Sequence, residues 1–204
     1  MAAVTDHLAA VSWPVRTDRL WLRRATLDDV DATWTFRQLP EIGEWISRAP
    51  TTKEAYAEQF GHEGRLSGTL VFGLHDGPVV GDLMLRVEDA WAQAEVAEAA
   101  VASQAELGWT LDPSYGGRGL ATEAVGEVMR VCFEDLGLRR VVANCFADNV
   151  ASWRLMERLG MRREAHNVAE SLHRSRGWID GLTYAILVDE WRARRPQNRR
   201  PTSP

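Results

Sequence analysis

Apolar and polar positions change period several times along the chain, and each change marks an element. Residues 19–24 alternate, with Leu20 and Leu22 on one face, and read as a first strand. Asp28 and Asp29 precede Val30, Trp34 and Phe36, which predicts a helix with acids in its first turn. Pro40 ends that helix or bends it. Thr51 or Thr52 can cap another helix reaching about Leu66, in which Tyr56 and Phe60 stand four apart and share a face. Residues 69–74 form a strand, His75-Asp76-Gly77-Pro78 a turn, and residues 79–87 the hairpin partner.

The pattern weakens between 88 and 104, where Glu88, Asp89, Glu95 and Glu98 stand among alanines. Alanine favours helix but buries little area, so the stretch is either an acidic excursion in a wide hairpin or a helix. Leu107, Trp109 and Leu111 then share one strand face, and Glu106, Gly108 and Thr110 the other. Asp112-Pro113 stops this strand. A glycine-rich turn leads into a strong helix whose apolar side holds Ala121, Ala124, Val125, Val128 and Cys132, closed near Gly137. Residues 140–146 are a strand. Asp148-Asn149 start a helix carrying Trp153, Leu155, Met156 and Leu159, Gly160 ends it, and strand-like stretches follow at 161–168 and 183–188. Hairpin strands followed by strand-helix-strand-helix-strand predict an α/β fold with a mixed, predominantly antiparallel sheet and flanking helices. One domain over 18–191 follows, with a lead-in at 1–17 interrupted by Pro14 and a flexible Arg/Pro-rich tail at 192–204.

Composition narrows the classes. Apolar residues are 45% and charged residues 26% of 204, a soluble globular balance. The 24 basic and 29 acidic side chains give −5, and the five arginines of the tail leave the rest at −10, 19 against 29. Such a body repels nucleic acid, so no stable nucleic-acid partner is expected, and it leans toward a cationic acceptor. Cys132 and Cys145 form no CxxC pair and read as buried free thiols in a reducing compartment. No apolar run could cross a bilayer, and the N-terminus lacks a secretion pattern, so cytoplasm is expected and no membrane partner. His7, His62, His75, His166 and His173 form no metal-binding spacing.

The candidate chemistry starts at Gly116-Gly117-Arg118-Gly119, between a strand and a helix. Glycine allows positive φ and close backbone approach, and the first helical amides lack partners inside the helix. They could grip a pyrophosphate with Arg118 assisting, or the segment could be a flexible turn with a solvated arginine. A P-loop would need GK before Ser or Thr, but Leu120 follows here; a dinucleotide fingerprint would need glycine where Thr122 stands.

Ala105-Glu106-Leu107-Gly108-Trp109, the segment 116–121, and the run 149–161 (NVASWRLMERLGM) together resemble the GCN5-related N-acetyltransferases, and most nearly their ribosomal-protein N-terminal acetyltransferase branch. The resemblance spans about 18–191. It implies a sheet splayed between two central strands, with acetyl-coenzyme A lying in the opening as the co-substrate. It implies cofactor contacts from Thr110, Leu111, Gly116, Gly117, Arg118, Gly119, Leu120, Ala121, Thr122, Asn149 and Ser152. Gly116 departs from the Gln or Arg common at the start of the family's loop.

The resemblance also implies direct acetyl transfer to an amine. Glu106, just before the expected splay and on a strand face with Gly108, is the general-base candidate, acting through water, and Ser152 is the candidate to steady or protonate the departing sulfur. Glu106 reads otherwise as an ion-paired strand carboxylate, and Asn149 as a plain helix cap. Many family members carry Tyr seven residues after the conserved Asn; Met156 stands there, which puts the tyrosine mechanism in doubt. Trp45, beside Glu41 and Glu44, is a rim candidate for a cationic amine, with Glu106 and Tyr184 as further acceptor contacts; Tyr184 could equally bond inside the core. Amine-bearing peptides, proteins and small molecules are the expected acceptors. A peptide α-amine, with a pKa of about 7.7–8.0 against about 10.4 for Lys, needs less help to become neutral. The rival readings are a regulator that binds acyl-coenzyme A without turnover, a small-molecule acetyltransferase, and a peptide-binding structural protein. An exposed late strand or helix could support a homodimer.

Overall fold

A computed structural model describes residues 6–194, and one eight-stranded sheet organises them. Its strands are β1 (Val15–Arg16), β2 (Leu20–Arg24), β3 (Thr69–Leu74), β4 (Val79–Glu88), β5 (Gln104–Leu111), β6 (Arg140–Phe146), β7 (Arg162–His173) and β8 (Gly177–Leu187). Their order is β1-β2-β3-β4-β5-β6-β8-β7, and only the β5–β6 pair is parallel. Helices α1 (Val30–Arg37), α2 (Pro40–Gly43), α3 (Lys53–Gly61) and α4 (Glu63–Leu66) precede β3. Helix α5 (Leu120–Arg130) joins β5 to β6, α6 (Val150–Arg158) joins β6 to β7, and α7 (Val188–Arg194) follows β8. The crossover through α5 is long enough to bring β6 parallel to β5, whereas the hairpins elsewhere force antiparallel pairs.

Burial follows the period-two alternation of the strands. On one face Leu20, Leu22, Leu70, Phe72, Leu83, Leu85, Leu107, Val141 and Ile186 pack with Ala124, Val125 and Val128 of α5 and Leu155 and Met156 of α6. The second face carries a smaller cluster, Val71 and Ala25 against Tyr56 and Phe60 of α3, edged by Trp34 of α1. Trp34 stacks at 5.3 Å on Tyr56, so these aromatics serve packing. Strand β3 is covered on both sides, which is why it reads as a continuous apolar run. Helices α1–α4 stop short of β5, β6 and β8, whose second face looks into open space.

Several sequence expectations shift. The helix expected to reach Leu66 is two helices broken at His62, although Thr52 caps the first by accepting the Ala55 amide at 3.2 Å. Pro40 opens α2 at its first position, where its missing N–H costs nothing, rather than simply ending α1. The 88–104 stretch is the wide-hairpin alternative, and its alanines form an exposed 3-10 helix, Ala94–Ala100, without a buried side. Strands β7 and β8 extend well beyond 161–168 and 183–188, because a largely exposed hairpin needs no apolar alternation to be held by its ladder. Leu8 and Val11 of the lead-in are buried, and α7 carries regular structure to Arg194; the rest of the expected tail, 195–204, lies outside the described residues.

Candidate functional site

The sheet opens at its only parallel junction. β5 and β6 pair through Gln104–Arg140, Ala105–Val141 and Glu106–Val142, after which β5 stays with β4 and β6 with β8. Backbone polarity in the gap follows from two bonds. The Arg139 amide donates to the Ser103 carbonyl at 2.9 Å, across toward β6, while the Asp112 amide donates to Val80 at 2.8 Å, toward β4. Alternation then directs the amides of Trp109 and Leu111 into the gap, beyond the last rung, and turns that of Thr110 toward β4. Of the two backbone donors expected here, Leu111 is available and Thr110 is not; Thr110 contributes only its buried side chain to the cleft wall.

A cleft of about 1820 Å³ runs from this gap across the bare sheet face to α3, α4 and the 45–50 loop. Glu106, Thr110, Asn149, Ser152 and Trp45 all line it; Leu111, Tyr184 and the 116–122 segment do not. Its floor is a polar row crossing four strands. Arg86 of β4 ion-pairs with Glu106 of β5, the Asn144 amide donates to Glu106 at 3.0 Å, and the Thr183 hydroxyl donates to Asn144 at 2.8 Å. Glu106 is therefore fixed from both sides, and the ion-pair alternative weighed for it is present. Tyr184, one position from Thr183, points to the opposite face. It is buried there, donating to Glu157 at 2.9 Å and accepting from Arg163 at 2.9 Å, so alternation removes it from the acceptor contacts.

Beside the gap, Asn149 caps α6 by accepting the Ser152 amide at 3.2 Å, which leaves its side-chain amide N–H groups without a hydrogen-bond partner among the described residues. The Ser152 hydroxyl faces the Cys145 thiol. Burial pushes Cys145 up to about 11, and the Ser152 hydroxyl opposes this only partly, so the thiol stays protonated at neutral pH. Cys132 is deeper and burial pushes it to about 12. Met156 is fully buried filling.

The glycine turn lies at the head of α5. Gly117 and Gly119 sit at φ +72° and +75°, whereas Gly116 does not need positive φ. The first in-helix bond runs from the Glu123 amide to the Gly119 carbonyl, so the amides of Leu120, Ala121 and Thr122 stay outside the helical ladder. Arg118 stacks on Tyr115 at 5.4 Å and pairs with no carboxylate among the described residues. Arg19 braces the turn, donating to the Arg118 carbonyl at 2.8 Å and to Glu123 at 2.6 Å. Open amides, positive-φ glycines and an unpaired arginine together fit a diphosphate.

Trp45 lies at the rim as expected, but its aromatic face is occupied. The Arg176 guanidinium stands 5.1 Å from its ring and also pairs with Glu44, taking the place assigned to a cationic amine. His173 pins the same loop: it accepts the Ser175 amide at 3.2 Å and donates to the Glu44 carbonyl at 2.9 Å. His166 pairs with Asp180 at 2.6 Å on the exposed hairpin. Sequence reasoning missed Arg86, Asn144 and Thr183, although residues 140–146 alternate. It also missed Arg37, Arg48 and Arg65 at the far end, where Arg37 is ion-paired with buried Asp82.

A model of the acetyltransferase (GNAT) domain matches residues 19–162. YnaD of Bacillus subtilis (strain 168), an uncharacterized N-acetyltransferase, is 36% identical over 86 residues, covering 42% of this chain and 50% of YnaD. YdaF of the same organism, a putative ribosomal N-acetyltransferase, is 26% identical over 157 residues, 74% of this chain and 80% of YdaF. The crystal structure of a GNAT-family acetyltransferase from Bacillus anthracis superposes with a TM-score of 0.73 at 25% identity, over 86% of this chain and 99% of that one.

Proposed function

The chain belongs to the GNAT acetyltransferase family, the N-acetyltransferases that draw on acetyl-coenzyme A, and we propose that its acceptor is a primary amine at the N-terminus of a peptide or protein. The observation that carries the reading is the gap between β5 and β6, with a cofactor-type turn on one side and a wide polar cleft on the other. Acetyl-coenzyme A supplies a thioester already activated toward an amine. In this reading Gly117, Gly119, the amides of 120–122 and Arg118 hold its diphosphate, and Asn149 and Leu111 hold its arm through their spare donors.

Glu106 accepts the amine proton through water, kept in place by Arg86 and Asn144. Ser152 orients the sulfur end of the site. The protonated Cys145 beside it supports transfer without an acetylated enzyme, since a thiol held near 11 is a poor nucleophile at neutral pH. YdaF, named a putative ribosomal N-acetyltransferase, favours a protein N-terminus, and a cleft of this size accommodates an extended chain end.

The finer assignments follow the same logic. Unpaired cysteines suit a reducing cytoplasm. The net acidic chain argues against a nucleic-acid partner. Exposed Val168, Leu172 and Trp178 on the β7–β8 hairpin favour a homodimer, which sedimentation over the working concentration range checks. Incubation with acetyl-coenzyme A and a panel of peptide N-termini, polyamines and small amines tests the function: free thiol and a product 42 Da heavier (about one acetyl replacing one hydrogen) are expected with an α-amine. Retention of the co-substrate without any acetylated product would leave the non-catalytic regulator.

A further inference from the structure

The end of the cleft remote from the gap carries charge that the transfer chemistry does not use. Arg65 closes α4, its carbonyl accepting the Thr69 hydroxyl at 2.8 Å. Thr69 stands opposite Met84, and Met84 opposite Gly108, so Arg65 is anchored two strands, about 10 Å, from the strand bordering the gap. Arg48 lines the same end from the 45–50 loop. Arg37 and Arg86, the other arginines of the cleft, are ion-paired to Asp82 and Glu106. Among the described residues neither Arg48 nor Arg65 has a carboxylate within ion-pairing distance, and their guanidinium groups make no hydrogen bond; the Asp82 that Arg65 feels is already paired with Arg37. The nearby Gln59 amide oxygen is buried with no hydrogen-bond partner.

This arrangement is costly without a ligand. Arg65 is half-buried and faces two further cations; burial, then Arg37 and Arg48, pull its pKa below the usual arginine value, against the opposing pull of Asp82. An anion seated there would relieve the like-charge cluster and supply what each fork lacks. The opposite wall carries Glu170, an exposed carboxylate of β7 with no cation partner among the described residues, so the cleft is polarised from basic to acidic across its width. Glu58 lies at the basic end too, but exposed on α3.

We propose that Arg65 and Arg48 form an anion subsite of the acceptor cleft, and that the acceptor carries a carboxylate a few bonds from its reacting amine. The unpartnered Gln59 oxygen takes an N–H of the same molecule. This rests on the acetyltransferase reading and sharpens its acceptor from a chain-terminal amine of any sequence to an α-amine borne by an acidic residue. It also reverses the cationic preference suggested by net charge, because at this end of the cleft Asp82 is committed to Arg37 while Arg65 and Arg48 are left over, and the unpaired acids Glu58 and Glu170 are exposed.

The test compares acceptors differing only in a carboxylate, Glu-Ala-Ala against Gln-Ala-Ala and glutamate against glutamine, using the full chain and saturating acetyl-coenzyme A. The acidic member of at least one pair should have the higher kcat/KM by about ten-fold or more, and which pair responds tells a peptide from a free amino acid. Arg65→Gln should cut the acidic acceptor by about ten- to hundred-fold and leave its amide within about two-fold, with Arg65→Lys recovering part of the loss. Equal rates for acid and amide in the wild type, or equal losses in Arg65→Gln, would overturn the subsite. Should none of the four be acetylated, calorimetry of Glu-Ala-Ala and Gln-Ala-Ala with coenzyme A-loaded protein decides it. Tighter acidic binding that Arg65→Gln abolishes supports the subsite, and no acidic preference overturns it. Failure of the acetyltransferase reading has a different signature, no thiol release with any primary amine.

Discussion

At the residue scale, the proposed chemistry depends on a carboxylate held rather than a carboxylate free. Arg86 and Asn144 grip Glu106 from neighbouring strands, so its position is set before any acceptor arrives. Glu106→Gln keeps the shape but retains only one of the two accepting oxygens, turning an N–H toward Arg86 or Asn144, and it cannot take a proton. It should lower kcat by about 10²- to 10⁴-fold while leaving the KM for acetyl-coenzyme A unchanged, as steady-state kinetics would register. Cys145 provides a second check. With its thiol near 11, iodoacetamide should label it slowly at pH 7.5 and faster as pH approaches that value, and activity should persist through the neutral treatment. Glu106 and Asn149 were legible because their motifs are local. Asn144 and Thr183 were not, because alternation sorts a strand into two faces without telling which face the helices leave bare, and Arg65 was not, because it lies on the short helix α4, whose break from α3 carries no pattern. Tyr184 shows the same ambiguity resolved the other way.

Among the elements, the turn before α5 carries most of the proposed cofactor site. Gly119 precedes the helix at φ +75°, a conformation that costs other residues about 1–2 kcal/mol. Gly119→Ala should therefore lower stability by about 1 kcal/mol in denaturant unfolding and weaken acetyl-coenzyme A binding in calorimetry, since the open amides follow directly. The extra Cβ meets only the end of the Arg19 side chain, at 3.6 Å, so strain rather than collision is the cause. This element was readable from its glycines and the amphipathic run behind them. The break between α3 and α4 and the length of the β7–β8 hairpin were not. One hinges on a single residue, His62, and the other on a ladder that leaves no apolar signature.

Across the whole molecule, acidic groups stitch distant segments to the sheet. Asp29 binds Arg23 through two bonds of 2.7 and 2.6 Å and accepts the Thr26 amide at 2.8 Å. Glu123 ties α5 to Thr17 and Arg19. Burial disfavours both carboxylates, but their hydrogen bonds and arginine partners outweigh it and hold both below the ordinary carboxylate range. A depressed folded pKa adds stability that is complete above the unfolded value, about 4, and is lost as pH falls through the folded one. Melting temperature should thus be steady near neutrality and decline below about pH 4, and the double variant Asp29→Asn, Glu123→Gln should start lower and decline less. The fold class was legible as a whole because hairpins and crossovers leave different spacings in the chain.

The three rungs joining β5 to β6 have a mechanical meaning. Both halves of the sheet share one apolar spine, the layer beneath α5 and α6, yet on the other side they part like the covers of a book. On that open side the 45–50 loop already clasps one end, through Glu44 and Trp45 to β6 and the β7–β8 hairpin. A cargo lodged between the covers touches both, so loading should do more than fill space: it should fasten one wing to the other along the stretch that the clasp leaves open.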